Sequence, residues 1–212
     1  LTVFQDQSTL LDVQKMTSVL GVILIFKEIA LGLSAGLVLT IWFSAASLAG
    51  EKIASTSGLA FAAQLDPNTG SSTPVISQIF MLFLLVIFLA IDGHLIVIRT
   101  LLDSYEFVPI DSMPTLGIMI KSGVGAAGSM FLAATVIMLP VSIILLMVNL
   151  SIGIMTRSAP TLNLFSFGFP ITLLGTFIFL YFSASTIGFA MSDLVEASIQ
   201  SMQDMIWRLD NG

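Results

Sequence analysis

Ser158-Ala-Pro-Thr-Leu-Asn-Leu-Phe-Ser-Phe-Gly-Phe-Pro-Ile-Thr-Leu-Leu174 is apolar and uncharged, yet it contains Pro160, Asn163, Gly168 and Pro170. A simple lipid-facing anchor needs none of these. Proline removes a backbone donor and clashes with the preceding turn, and glycine weakens a helix. An unpaired amide is costly in hydrocarbon. Such a segment makes sense only where neighbouring helices satisfy the freed backbone groups. The stretch therefore reads as part of a chain built to pack into something larger.

The rest of the composition agrees. Of 212 residues, 56% are hydrophobic and 9% charged, against about 25% charged in a soluble domain. With a mean hydropathy of +1.03, the chain reads as an integral membrane protein or a subunit buried in a membrane complex. The absence of cysteine excludes disulfides and thiolate metal sites, and a single histidine excludes a multi-histidine site. Thirteen acidic against seven basic residues leave a net charge of -6 and no basic patch, so nucleic acid is not an expected partner. Sixteen Phe and eleven Met suit a deformable wall, but ordinary apolar filler accounts for them as well.

Working outward, the spacing predicts an all-α, membrane-associated chain of long, kinked helices paired as hairpins. Thr9-Leu-Leu-Asp12 has capping-box spacing. The helix after it covers Val19–Phe26 and Ile29–Ala49, interrupted by Lys27 and Glu28. Adjacent residues do not face each other on a helix, so no Lys27–Glu28 pair is expected. Gly32 and Gly36 form a small-xxx-small face that admits another helix closely. From Glu51 to Pro74 small residues dominate, and Asp66-Pro67-Asn-Thr-Gly70 is a strong turn signal. The apolar piece Gly58–Leu65 is too short to span a bilayer. Leu59, Phe61 and Leu65 favour a loop held inside protein over a solvated connector.

Val75–Ile98 reads as a second helix, with Asp92, Gly93 and His94 near its far end and Arg99 beyond. Asp92 and Arg99 lie too far apart for contact on an ideal helix, and Asp103, one turn after Arg99, is the better partner. Intramembrane ionisable groups raise a functional hypothesis, here a proton relay. An interfacial position with Arg99 snorkelling is the plainer alternative. Tyr105–Pro114 reads as a connector. Leu116–Leu150 is a long helix with a tightly packing face at Gly123, Gly125, Gly128 and Ser129, which Pro140 should kink or split. Asn149–Pro160 reads as a hairpin tip. Phe165–Met191 is the last apolar helix. Beyond it, Asp193, Glu196, Gln200, Gln203 and Asp204 alternate with Leu194, Val195, Ile199, Met202 and Ile206 in an amphipathic pattern. Basic residues are spread over all the loops, so charge sets no orientation.

Four features together resemble the flagellar biosynthesis protein FliR and its virulence type III secretion equivalents. They are Ala159-Pro-Thr-Leu-Asn-Leu-Phe-Ser-Phe-Gly-Phe-Pro-Ile-Thr-Leu, the loop Gly58-Leu-Ala-Phe…Leu-Asp-Pro, the Gly93-His94 pair and Val108-Pro109. They occur in the family's order across nearly the whole chain, which is then one export-gate domain over residues 1–212. The family has a further N-terminal hydrophobic segment before the part matching Leu10–Ala49, and the chain opens on Leu1, so a truncated N-terminus is expected. The resemblance implies a hetero-oligomeric helical export gate, shared with FliP-like and FliQ-like subunits and an FlhB-like protein, for unfolded export substrates. It also implies the bacterial inner membrane, at the flagellar basal body or type III apparatus, in contact with lipid. The family's plug loop maps onto about Ile53–Ser72, with Gly58, Leu59, Ala60, Phe61, Leu65, Asp66 and Pro67 as pore-closing candidates. Gly32, Gly36, Gly125, Gly128, Pro160, Gly168 and Pro170 are the helix-packing candidates.

Two functions compete at this point. In the first, Gly58–Leu65 occludes a central pathway and moves aside for substrate, Phe61 and Leu65 sealing it. No phosphate-binding loop occurs, so the energy source lies elsewhere, and no cofactor is expected. In the second, a small-solute or ion transporter uses Asp92, His94 and Arg99 as a relay, with discontinuous helices around a site. No metal-ligand pair or nucleophile–base constellation marks an enzyme.

Overall fold

A computed structural model describes residues 19–58, 75–107, 116–158 and 167–210. Those residues form helices α1 (Val19–Thr56), α2 (Val75–Ala90), α3 (Gly93–Phe107), α4 (Leu116–Ser158) and α5 (Phe169–Asp210), with no strand among them. The all-helical class expected from the sequence is what the chain adopts. Thr9–Asp12 lies outside the described residues.

α1 is the central helix and packs on α4, α2 and α5. Its buried positions are Leu31, Ala35, Val38, Trp42, Ala45, Ala49 and Ile53, a spacing of three and four that keeps one seam facing its neighbours. α4 adds Ala126, Ala134, Ile137, Val141 and Leu145. α5 adds Ile187, Met191, Leu194, Val195, Ile199, Met202 and Met205, and α2 adds Ile76, Phe80 and Leu84. Small side chains on α1 bring α2 very near: a Cβ on Gly50 would lie 2.5 Å from Ser77 Cα. The Ser47 and Ser77 hydroxyls meet beside it at 2.8 Å.

Several helix boundaries differ from the sequence reading. α1 runs unbroken through Lys27 and Glu28 and on to Thr56, so Ile53–Thr56, the start of the range mapped as a plug, is helical. Pro140 does not split α4, because residues on both sides of it, Ile137 and Val141, are clamped in the core. α4 also continues helical through Asn149 to Ser158 rather than turning there, and Tyr105–Phe107 close α3 rather than opening a connector. Pro170 sits in the first turn of α5, where a missing N–H is not needed; it starts a helix rather than breaking one.

The expected helix Val75–Ile98 is two helices meeting at 65°. Asp92 causes the break. Its φ of 56° is left-handed, a region that Asp tolerates better than most residues. Its carbonyl then accepts from Leu95 N and Ile96 N, at 2.9 and 3.1 Å, and starts α3. Gly93 fits because a Cβ there would lie 2.5 Å from the Phe88 ring and 2.9 Å from the Phe88 carbonyl oxygen. Phe88 is itself held edge-on against Phe43, 5.2 Å between centroids. Asp-Gly is a turn dipeptide, so the signal was present in the sequence and was outweighed by the apolar run around it.

α1, α4 and α5 are each long and apolar enough to cross a membrane, and α2 with α3 forms a bent fourth candidate. The 43 residues of α4 extend about 64 Å at 1.5 Å per residue. Tilted by 40°, they would still project about 49 Å, beyond a hydrocarbon core of about 30 Å. Hydroxyls inside these helices bond locally, as Thr40 does to the Gly36 carbonyl at 2.8 Å and Thr135 to that of Phe131 at 2.7 Å, so they cost little in apolar surroundings.

Candidate functional site

The site starts where α1 ends. The last carbonyls of a helix have no intrahelical partner, and left bare among apolar neighbours they are costly. Here each one is satisfied. The Ile53 carbonyl accepts from Ser57 N at 2.9 Å and that of Ser55 from Gly58 N at 3.2 Å. The Ser57 hydroxyl donates to the Ala54 carbonyl at 2.8 Å. The remaining two are met from other helices: Asn149 Nδ2 of α4 donates to the Thr56 carbonyl at 2.9 Å, and Thr172 Oγ1 of α5 to that of Ser57 at 3.1 Å. Ser57 and Thr172 are buried. Gly58 follows at φ 81°, the left-handed position that ends many helices and favours glycine. The Phe169 ring lies 3.5 Å from where its Cβ would stand.

Leu59, Ala60, Phe61, Leu65, Asp66 and Pro67 lie outside the described residues, as does Pro160. Of the plug candidates, Gly58 is therefore placed: it stands where α1, α4 and α5 converge. Sequence reasoning missed Asn149 and Thr172. Thr172 falls inside the stretch that decided the fold, but a threonine beside prolines and a glycine carries no signal of a bond to residue 57.

The packing glycines divide. Gly168 is buried in a π-type turn just before α5, whereas Gly32, Gly36, Gly125 and Gly128 are exposed. Among the described residues nothing comes within 4 Å of a Cβ built on any of those four. The tight approach inside the chain uses Gly50 instead. The faces bearing Gly32, Gly36, Gly125 and Gly128 are open, flanked by exposed Leu33, Leu37, Val124 and Leu132.

The ionisable candidates do not assemble into a relay. Asp92 is exposed at the elbow and His94 half-buried one residue into α3; among the described residues the His94 Nδ1 is buried without a hydrogen-bond partner. Arg99 Nε meets Asp103 Oδ2 at 3.6 Å, as the spacing predicted, with both side chains largely exposed, a geometry that contributes little. No hydrogen bond or ion pair among the described residues joins Asp92, His94 and Arg99 to one another.

Lys27 and Glu28 correct an expectation. Lys27 Nζ lies 3.9 Å from Glu28 Oε1, with the lysine side chain 3% exposed. Tyr105 of α3 lies near the same carboxylate. Among the described residues no three metal-ligating side chains gather.

The amphipathic end of α5 is as read: Asp193, Glu196, Gln200, Gln203 and Asp204 are exposed, while Leu194, Val195, Ile199, Met202 and Ile206 are buried. Gln203 Nε2 reaches Thr100 Oγ1 at 3.2 Å and ties this end to α3.

Known proteins carry the same pattern. The flagellar biosynthetic protein FliR of Pectobacterium carotovorum subsp. carotovorum is 37% identical over 156 residues, 74% of this chain and 60% of that protein. FliR of Escherichia coli (strain K12) is 34% identical over 147 residues, 69% and 56% respectively. The surface presentation of antigens protein SpaR of Shigella flexneri is 29% identical over 168 residues, 79% and 64%. The chain thus spans less than two thirds of the length of each of these relatives. The sequence model described as "Bacterial export proteins, family 1" matches residues 1–198, which take in α1 to α4 and most of α5, and the chain belongs to that family.

Proposed function

We propose that this chain is a structural and gating subunit of a bacterial flagellar or type III protein export gate, helping to form and close a channel for unfolded substrate proteins. It acts as a non-enzymatic part of a membrane-embedded machine. Its site is the bacterial inner membrane and its partners are FliP-like and FliQ-like subunits with an FlhB-like protein.

The family match over residues 1–198 carries this reading, and the surface supports it. Only 22%, 22% and 11% of the most apolar windows of α1, α4 and α5 is buried within the chain. Helices about twice the hydrocarbon thickness with most of their apolar face uncovered need neighbours as well as lipid. The dispersal of Asp92, His94 and Arg99 favours this over solute transport, which requires converging charged groups.

The test is gentle detergent extraction of the tagged protein with mass spectrometry of what co-purifies. FliP-like and FliQ-like subunits in one stable complex are the expected result. A stable lone protein or homodimer would remove the export-gate reading and return attention to a transporter.

A further inference from the structure

We propose that Asn149 and Thr172 form a latch that clamps the end of α1 to the α4–α5 pair and so fixes where the chain leaves at Gly58. The inference rests on the gating reading and deepens it. The Thr56 and Ser57 carbonyls are the last two acceptors of α1, and each is met by a side chain from a different helix, at 2.9 and 3.1 Å. The donors are 93 and 115 residues away in the chain, so these bonds report on how α1, α4 and α5 sit together rather than on local helix formation.

The surroundings make release costly. Ser57 is 1% and Thr172 5% exposed, so the Ser57 carbonyl has little access to water once it loses its donor. Sliding α4 along α1 breaks the Asn149 bond and sliding α5 along α1 breaks the Thr172 bond, so α1 is released from the pair only when both open. A single left-handed residue follows, Gly58, in contact with Phe169 at the start of α5. Glycine changes φ there without the steric penalty of a side chain, so it serves as the pivot once the two bonds open. The single proton of the Thr172 hydroxyl is also within reach of the Phe169 carbonyl, at 3.0 Å. The hydroxyl thus has a second acceptor within its own helix when the bond to Ser57 breaks, which lowers the cost of release on that side. Among the described residues Asn149 has no second acceptor, and it is the stiffer half of the latch.

The experiment uses the assembled complex with three variants of this chain: Asn149→Leu and Thr172→Val, which remove the donors at similar volume, and Thr172→Ser, which keeps the hydroxyl. Two readouts are taken: amide hydrogen exchange of the peptide covering the end of α1, and ion leak across vesicles. Phe61→Ala serves as the gating reference. The latch predicts about tenfold faster exchange at Ser57 and Gly58 in Asn149→Leu and Thr172→Val, the factor a lost buried hydrogen bond supplies, with a raised leak. Thr172→Ser should match the parent in both. Unchanged exchange in the two donor-deleted variants would overturn the latch. So would faster exchange without leak in a complex where Phe61→Ala does leak. If Phe61→Ala leaks nothing while exchange rises as stated, the gating reading falls and the clamp on α1 stands.

Discussion

Gly50 and Gly36 lie on the same helix and have opposite consequences. A Cβ on Gly50 would meet Ser77 Cα at 2.5 Å and Ser77 N at 2.8 Å. These are backbone atoms of α2, which cannot rotate away. Gly50→Ala should therefore lower stability by about 1–3 kcal/mol, read as a lower unfolding midpoint of the purified protein. Gly36→Ala has open space around it and should be neutral, or stabilising by up to about 1 kcal/mol through helix propensity. If both substitutions behaved alike, the close α1–α2 approach would be wrong. Asp92 gives a second residue-scale test. Asn tolerates left-handed φ as Asp does, so Asp92→Asn should keep the elbow and leave export intact in a motility or secretion assay. Loss of function in a folded, assembled complex would favour the relay.

At the scale of elements, the helices were largely legible and their ends were not. Long apolar runs located α1, α2, α4 and α5, because an uncharged stretch of that length has few alternatives. The break at Asp92-Gly93 was lost inside a hydrophobic run. Pro140 was given too much weight, because tertiary clamping of its flanks overrides a local breaker. The packing faces were also only half legible: Gly-xxx-Gly at Gly32 and Gly36 stood out, while the seam actually used inside the chain is Leu31, Ala35, Val38, Trp42, Ala45 and Ala49. That seam is a three-and-four periodicity, half of it alanines, which stand out little in a chain already 56% hydrophobic. We propose that the exposed glycine faces receive partner helices. A Gly32→Leu, Gly36→Leu double variant should fold with an unchanged unfolding midpoint as an isolated chain, yet give little complex on co-purification; a full yield of complex would show that no partner helix docks there. Gly168, buried just before α5, should behave differently. Gly168→Leu is expected to block assembly, and a normal complex would count against the role given to residues 158–174.

For the whole molecule, the surface argues more than the core. Exposed Phe26, Leu33, Val124, Leu132, Phe182 and Phe189 lie on all three of the longest helices, α1, α4 and α5. Apolar area of that extent is covered by lipid or protein. If residues beyond Gly58 close a pathway within the assembly, Phe61→Ala should raise ion or small-molecule leak without preventing assembly. Unchanged permeability of the intact complex would rule out that sealing role.

The sequence by itself determined that this chain is helical, membrane-associated and of the export family, because hydropathy and local motifs are properties of contiguous residues. It also placed the Arg99–Asp103 pair and the amphipathic end of α5, both of which follow from helical spacing alone. Only the tertiary structure decided which stripe of α1 is buried, that Asp92 turns one helix into two, and that Asn149 and Thr172 complete the end of α1. Each of those depends on groups far apart in the chain meeting at a few ångströms, and no local pattern of residues encodes which distant carbonyl a threonine will reach.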